Sequence, residues 1–174
     1  ATVRSTPTPV SGGLTFTTLS AAQHTCGLTA TGAAYCWGLN QFGQVGDSTT
    51  TYLRLTPTAV AGGLTCSAMA TGGGPSPGGH TCALTEAKAV YCWGYNSNGE
   101  LGDGTTTSRS VPTLVTGGLT FTSITVGLQH ACALTAAGVA YCWGLNTKGQ
   151  LGDGTTTSRS TPTAVAGGLT FASI

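Results

Sequence analysis

Four sets of residues recur along this chain at fixed spacing and could carry chemistry. The first is cysteine, in three pairs ten positions apart: Cys26/Cys36, Cys82/Cys92 and Cys132/Cys142. Such pairs can cross-link, or they can join His24, His80 and His130 as soft metal ligands. Zinc sites draw on four converging ligands and on short Cys-x2–4-Cys spacing. Each copy here offers one His and two Cys at a longer spacing, so disulfides are expected and a metal is not. The second set is the three histidines themselves. Each stands two positions before a paired Cys, and no Asp, Glu or nucleophile recurs beside it. They are expected to be structural, bonded to backbone, rather than catalytic. The third set pairs Asp47, Asp103 and Asp153 with Arg54, Arg109 and Arg159, seven, six and six positions on. Ion pairs bracing a loop are the simplest reading. The fourth is Trp37, Trp93 and Trp143, each after Tyr-Cys. These indoles either pack between structural units or offer stacking platforms to a sugar.

Two further features are weaker. Asn96, Asn98, Glu100 and Asp103 do not match the spacing of a Ca²⁺ loop, and Lys148 occupies the place of Asn98 in the next copy. Cys66 has no counterpart and stands where Phe16, Phe121 and Phe171 stand in the other copies. It reads as a small buried apolar residue, with an intermolecular bridge as the alternative. No residue set forms a catalytic constellation, and no cofactor is expected.

Composition narrows the classes further. The chain has 174 residues, a formal net charge of +1, and only 6 % charged residues. There is no Lys/Arg surplus to neutralise phosphates, which argues against a nucleic-acid partner. No apolar run approaches the roughly 18 residues of a membrane span, so membrane insertion is not expected. With 40 % hydrophobic residues, the chain can build a core.

The elements that hold these residues are repeats. Gly12-Gly13-Leu14-Thr15-Phe16 returns at Gly62, Gly117 and Gly167, at offsets of 50, 55 and 50 residues. Within one copy four segments read as strands. Phe121–Val126 alternates apolar and polar residues, and His130–Thr135 and Val139–Trp143 form a hairpin. Thr161–Val165 carries a Pro and should lie at a sheet edge. The His130–Trp143 hairpin and its first-copy equivalent turn over three residues ending in Gly, which places each Cys pair directly cross-strand at a non-hydrogen-bonded site. The second copy has Glu86-Ala87-Lys88 there, so its turn should be strained or reshaped. No stretch has a helical period.

Each copy continues as Gly144-Leu145-Asn146-Thr147-Lys148-Gly149-Gln150-Leu151-Gly152-Asp153-Gly154. This segment, with the strand His and Pro, resembles the repeat of the regulator of chromosome condensation family. The resemblance implies an all-β fold of propeller blades, usually closed as a ring of seven. It predicts three complete four-stranded blades, at about 14–60, 64–115 and 119–165, with partial strands at 6–10 and 169–174. Residues 4–20 and 159–174 share one phase of the repeat, so the uncapped ends should dock on further blades or on neighbouring copies.

The functional expectations follow. Disulfides imply an oxidising compartment, hence secretion or cell-surface display. The first reading is a non-enzymatic scaffold that self-assembles, as a homo-oligomer, polymer or filament. The alternative is a propeller module that binds carbohydrate or protein, through the insert at Gly72, Gly73, Pro75 and Pro77 or through the indoles. Guanine-nucleotide exchange, which the resemblance also brings, relies in that family on an acidic face and longer insertions; only five acidic residues occur here. The uncharged Thr/Ser-Pro segments are candidate O-glycosylation sites.

Overall fold

The computed structural model describes residues 5–73 and 78–174. They contain strands and turns and no helix. The twelve strands form three antiparallel sheets of four. The first blade holds β1 (Thr18–Ala21), β2 (His24–Leu28), β3 (Ala34–Leu39) and β4 (Leu53–Ala59). The second holds β5 (Cys66–Gly72), β6 (His80–Thr85), β7 (Val90–Gly94) and β8 (Arg109–Leu114). The third holds β9 (Ser123–Val126), β10 (His130–Leu134), β11 (Ala140–Gly144) and β12 (Arg159–Ala164). Every sheet runs in chain order, and β5 packs against both β1 and β9, so the blades lie side by side through their first strands.

Edge placement follows from the sequence. Pro57, Pro112 and Pro162 fall in β4, β8 and β12, the outer strand of each sheet, where a missing N–H costs no ladder bond. The middle strands are buried: His80–Thr85 is covered along its whole length. In all three blades the ladder between the third and fourth strands slips after the Cys, leaving Trp37, Trp93 and Trp143 in a bulge. At Trp93 and Trp143 the indole leaves its own sheet and meets the preceding blade. A Gly at φ of about 105° follows each Trp, at 38, 94 and 144, opposite the strand His. A side chain at Gly94 would fall 2.6 Å from the Gly79 carbonyl oxygen.

The hairpin register matches expectation. Cys26 faces Cys36, Cys82 faces Cys92 and Cys132 faces Cys142. The turns close through Thr29 N–H to the Ala33 carbonyl at 3.0 Å and Thr135 N–H to the Val139 carbonyl at 3.0 Å. In the second blade the same turn closes at 2.9 Å, with Lys88 forced to φ +65° where its counterparts are Gly32 and Gly138. The turn is therefore strained and not reshaped.

The terminal segments depart from expectation. Residues 6–10 form no strand, and 169–174 contribute one isolated bridge, Thr170 to Val139. A strand needs a neighbour with free backbone groups; neither segment has a complete one beside it.

Candidate functional site

The geometry concentrates at the junctions between blades. The Trp93 indole N–H donates to the Gln44 carbonyl at 3.0 Å, and the Trp143 indole N–H to the Glu100 carbonyl at 3.0 Å. Both rings are wholly buried, so neither offers a face to a sugar; packing between blades, the alternative reading of these indoles, describes them. Trp37 is half-buried and lies against Phe16, ring centroids 5.6 Å apart.

His24 serves the first of these junctions through a side chain of the next blade, where a backbone partner was expected. His24 Nε2 lies 2.7 Å from the Thr81 hydroxyl of the next blade. That hydroxyl donates its proton to the Gln44 carbonyl at 2.9 Å, so it must accept from His24, which fixes the proton on Nε2. At the next junction Ala131 stands at the place of Thr81, so His80 has no hydroxyl to meet there and lies beside the His130 backbone. Burial pushes His24 down to about 4 and His80 to about 3, and lowers His130 as well. All three are neutral near pH 7.

All three cysteine pairs are bonded: Cys26–Cys36, Cys82–Cys92 and Cys132–Cys142, each with Cα atoms 4.1 Å apart. No thiolate remains in them for a metal, and no cluster of metal-ligating side chains occurs among the described residues. Cys66 is free and buried, its thiol pushed up to about 11 by that burial. It is unreactive in the folded state.

The acidic positions brace loops. Arg54, Arg109 and Arg159 each bond the carboxylate of Asp47, Asp103 and Asp153, and each carboxylate is nearly covered. Asn40, Asn96 and Asn146 complete the module. The side-chain oxygen of Asn96 accepts from Leu101 N–H at 2.9 Å while its amide donates to Asp103 at 3.2 Å. Burial raises the Asp103 carboxyl, but bonds from Thr105, Arg109 and Asn96 outweigh it and hold the group below the usual range. Asp153 is lowered chiefly by its Thr155 bond, then by Arg159. Glu100 accepts from Asn98 N–H and side chain at 2.8 Å each, and burial raises its carboxyl.

The insert divides. Gly72 is not a loop residue: it ends β5 opposite His80, and a Cβ there would meet the Gly127 carbonyl at 2.0 Å. Gly73 packs against Gly79. Pro75 and Pro77 lie outside the described residues. Where the insert rejoins the sheet, Gly78 sits on the Tyr95 ring, and Tyr95 meets Phe42 edge-on at 5.0 Å. These two half-buried aromatics were not singled out from sequence. Tyr95 replaces Leu39 and Leu145, and Phe42 replaces Asn98 and Lys148, so position-by-position comparison of the copies is the signal that finds them.

Models of the regulator of chromosome condensation repeat match residues 89–134 and 137–173, and a second model of that repeat matches 22–44 and 121–150. The chain belongs to the RCC1 repeat family. It is 38 % identical over 96 residues to the human E3 ubiquitin-protein ligase HERC2, covering 54 % of this chain and 2 % of that protein. It is 31 % identical over 99 residues to the Arabidopsis thaliana ultraviolet-B receptor UVR8, covering 53 % of this chain and 20 % of that one. The chain thus spans a small part of these relatives. Among solved structures, human WBSCR16 superposes with a TM-score of 0.81 at 24 % identity, over 95 % of this chain and 44 % of its own. Yeast RCC1 (Prp20) superposes at 0.76 and 23 % identity, over 88 % of this chain and 37 % of its own. At that identity they establish the RCC1 propeller fold of the three blades.

Proposed function

We propose that this RCC1-repeat module is a non-enzymatic scaffold of an extracellular or surface compartment that assembles with further copies of itself. One observation carries the reading: every blade closes its central hairpin with a disulfide. Structural bridges at this density form and persist where the surroundings are oxidising. The charged side chains described above brace loops instead of converging on a substrate, which supports a binding or structural role over catalysis. Large apolar side chains left at the surface support assembly; Leu19, Leu55 and Leu169 are 59 %, 83 % and 61 % exposed. Fractionation of the native source tests the compartment. Recovery of the disulfide-bonded chain outside the cytosol is expected, and a reduced cytosolic pool would contradict it.

A second reading rests on the Phe42–Tyr95 pair beneath the insert. Propellers present ligand sites on loop faces, and yeast RCC1 has been solved bound to Kap60 and studied for binding to Gsp1p and histones. A partner protein or glycan held there would lose affinity on Tyr95→Ala with the melting transition unchanged.

A further inference from the structure

One turn recurs in each blade, and its second copy differs in chemistry. Phe42-Gly43-Gln44, Asn98-Gly99-Glu100 and Lys148-Gly149-Gln150 stand at the same place in the repeat. In the first and third blades the Gln side-chain oxygen accepts from the backbone N–H two residues before it, at 2.8 and 2.9 Å. In the second blade a carboxylate takes that place, and both of its oxygens accept: Oε2 from Asn98 N–H and Oε1 from Asn98 Nδ2, at 2.8 Å each. Glu100 is fully buried. The Asn98 amide therefore supplies a donor that this covered carboxylate needs.

Asn98 is also the asparagine that precedes a glycine. Of the four asparagines, Asn40, Asn96 and Asn146 are followed by Gln, Ser and Thr. Those three are wholly buried, with their amides bonded inside the loop, whereas Asn98 is half-buried. Gly99 has no side chain to shield its nitrogen from the Asn98 side-chain carbon. In the closed loop that nitrogen is engaged: Gly99 N–H donates to the Asn96 carbonyl at 3.1 Å. A Cβ at Gly99 would fall 2.5 Å from Ser160 Cα of the third blade. The turn is part of the junction, since the Glu100 carbonyl takes the Trp143 indole N–H. Attack by the Gly99 nitrogen thus requires the junction loop to open.

We infer that Asn98 is a site of spontaneous deamidation, gated by opening of the junction between the second and third blades, and that the product resists reclosure. The Gly99 nitrogen bonds to Asn98 Cγ, the Cγ–Nδ2 bond breaks, and ammonia leaves with the Gly99 N–H proton. Water then opens the imide at either of its two C–N bonds, leaving aspartate or isoaspartate at position 98. Nothing is oxidised or reduced. The new carboxylate meets Glu100 where an amide had donated, and like charges in contact oppose each other. Isoaspartate also adds a backbone carbon to a turn that Ser160 confines. Opening permits the reaction and the product favours the open form, so the junction loosens irreversibly as the protein ages.

Incubation of the native, disulfide-bonded chain in mildly alkaline buffer, followed by peptide mapping, tests this; the unfolded chain is the clock for the same chemistry. Asn98 should convert about tenfold more slowly in the native chain than in the unfolded one, with Asn40, Asn96 and Asn146 retained. Trp143→Phe, which removes the indole N–H from the junction, should speed native conversion about fivefold and leave the unfolded rate unchanged. Asn98→Asp, which brings the charge without the extra backbone carbon, should lower the melting midpoint in the wild-type background and not beside Glu100→Gln. Retention of Asn98 in the native chain for about a hundredfold longer than in the unfolded chain overturns the site. An unchanged native rate in Trp143→Phe overturns the gating, and an equal fall in midpoint in both backgrounds overturns the clash with Glu100.

Discussion

At the scale of single residues, the buried histidines set how the molecule answers to pH. His24 and His80 are held near 4 and 3 by burial, below the ordinary value of 6.5. A folded-state value below the unfolded one means that the unfolded chain binds the proton first. Their contribution is fully present above about pH 6.5 and is lost as pH falls toward 4 and 3. The slope over that window should approach about 1.4 kcal/mol per pH unit for each His. Urea midpoints across this range measure it, and His80→Leu should make the slope shallower. A profile flat from pH 7 to 4 would contradict the burial of these rings. His80 lacks the hydroxyl partner that His24 has in Thr81, and a buried polar group short of a partner costs about 1–3 kcal/mol. Ala131→Thr restores the hydroxyl that His24 has in Thr81, and should raise stability by about 1 kcal/mol in the same urea assay. None of this was legible from His-x-Cys alone. The motif shows that the histidines recur, but which side chain they meet depends on the next blade.

At the scale of elements, the hairpin is the best-determined part of the sequence. Nine residues between paired cysteines, a three-residue turn and a terminal Gly together fix one register, and Cys26–Cys36 and its counterparts follow it. The reasoning is local, so it survives folding unchanged. The turn at Lys88 departs from the pattern in sequence and shows the cost in structure, a left-handed backbone at a residue with a side chain. Such a conformation costs about 1–2 kcal/mol outside Gly, offset by the extra freedom that Gly gives the unfolded chain. Lys88→Gly should therefore stabilise by about 0.5 kcal/mol, read as a small rise in melting midpoint. Replacing Cys82 and Cys92 together by Ala should cost about 3 kcal/mol, because the bridge spans a sequence separation of 10. The terminal strands were expected from sequence phase and do not form, since pairing requires a neighbour that phase alone does not supply. The insert shows the same limit. Its length marks it as distinct, yet Gly72 belongs to the sheet and the aromatic pair below it came from positions that looked ordinary within their own copy.

At the scale of the whole molecule, the fold is a row of stapled sheets joined by indole-to-carbonyl bonds. Repeat order and the three four-stranded sheets were readable from spacing. The junctions were readable only in outline, because the sequence left Trp93 and Trp143 either packing between units or stacking on a ligand, and the carbonyl each indole meets lies on the preceding blade. The reading of an exported scaffold depends on the staples. Peptide mapping of native, unreduced protein, alkylated after unfolding, tests them most directly. The account predicts linked peptides joining Cys26 to Cys36, Cys82 to Cys92 and Cys132 to Cys142, with Cys66 alone alkylated and unreactive before unfolding. Alkylation of the paired cysteines, or linkage between different blades, would contradict it.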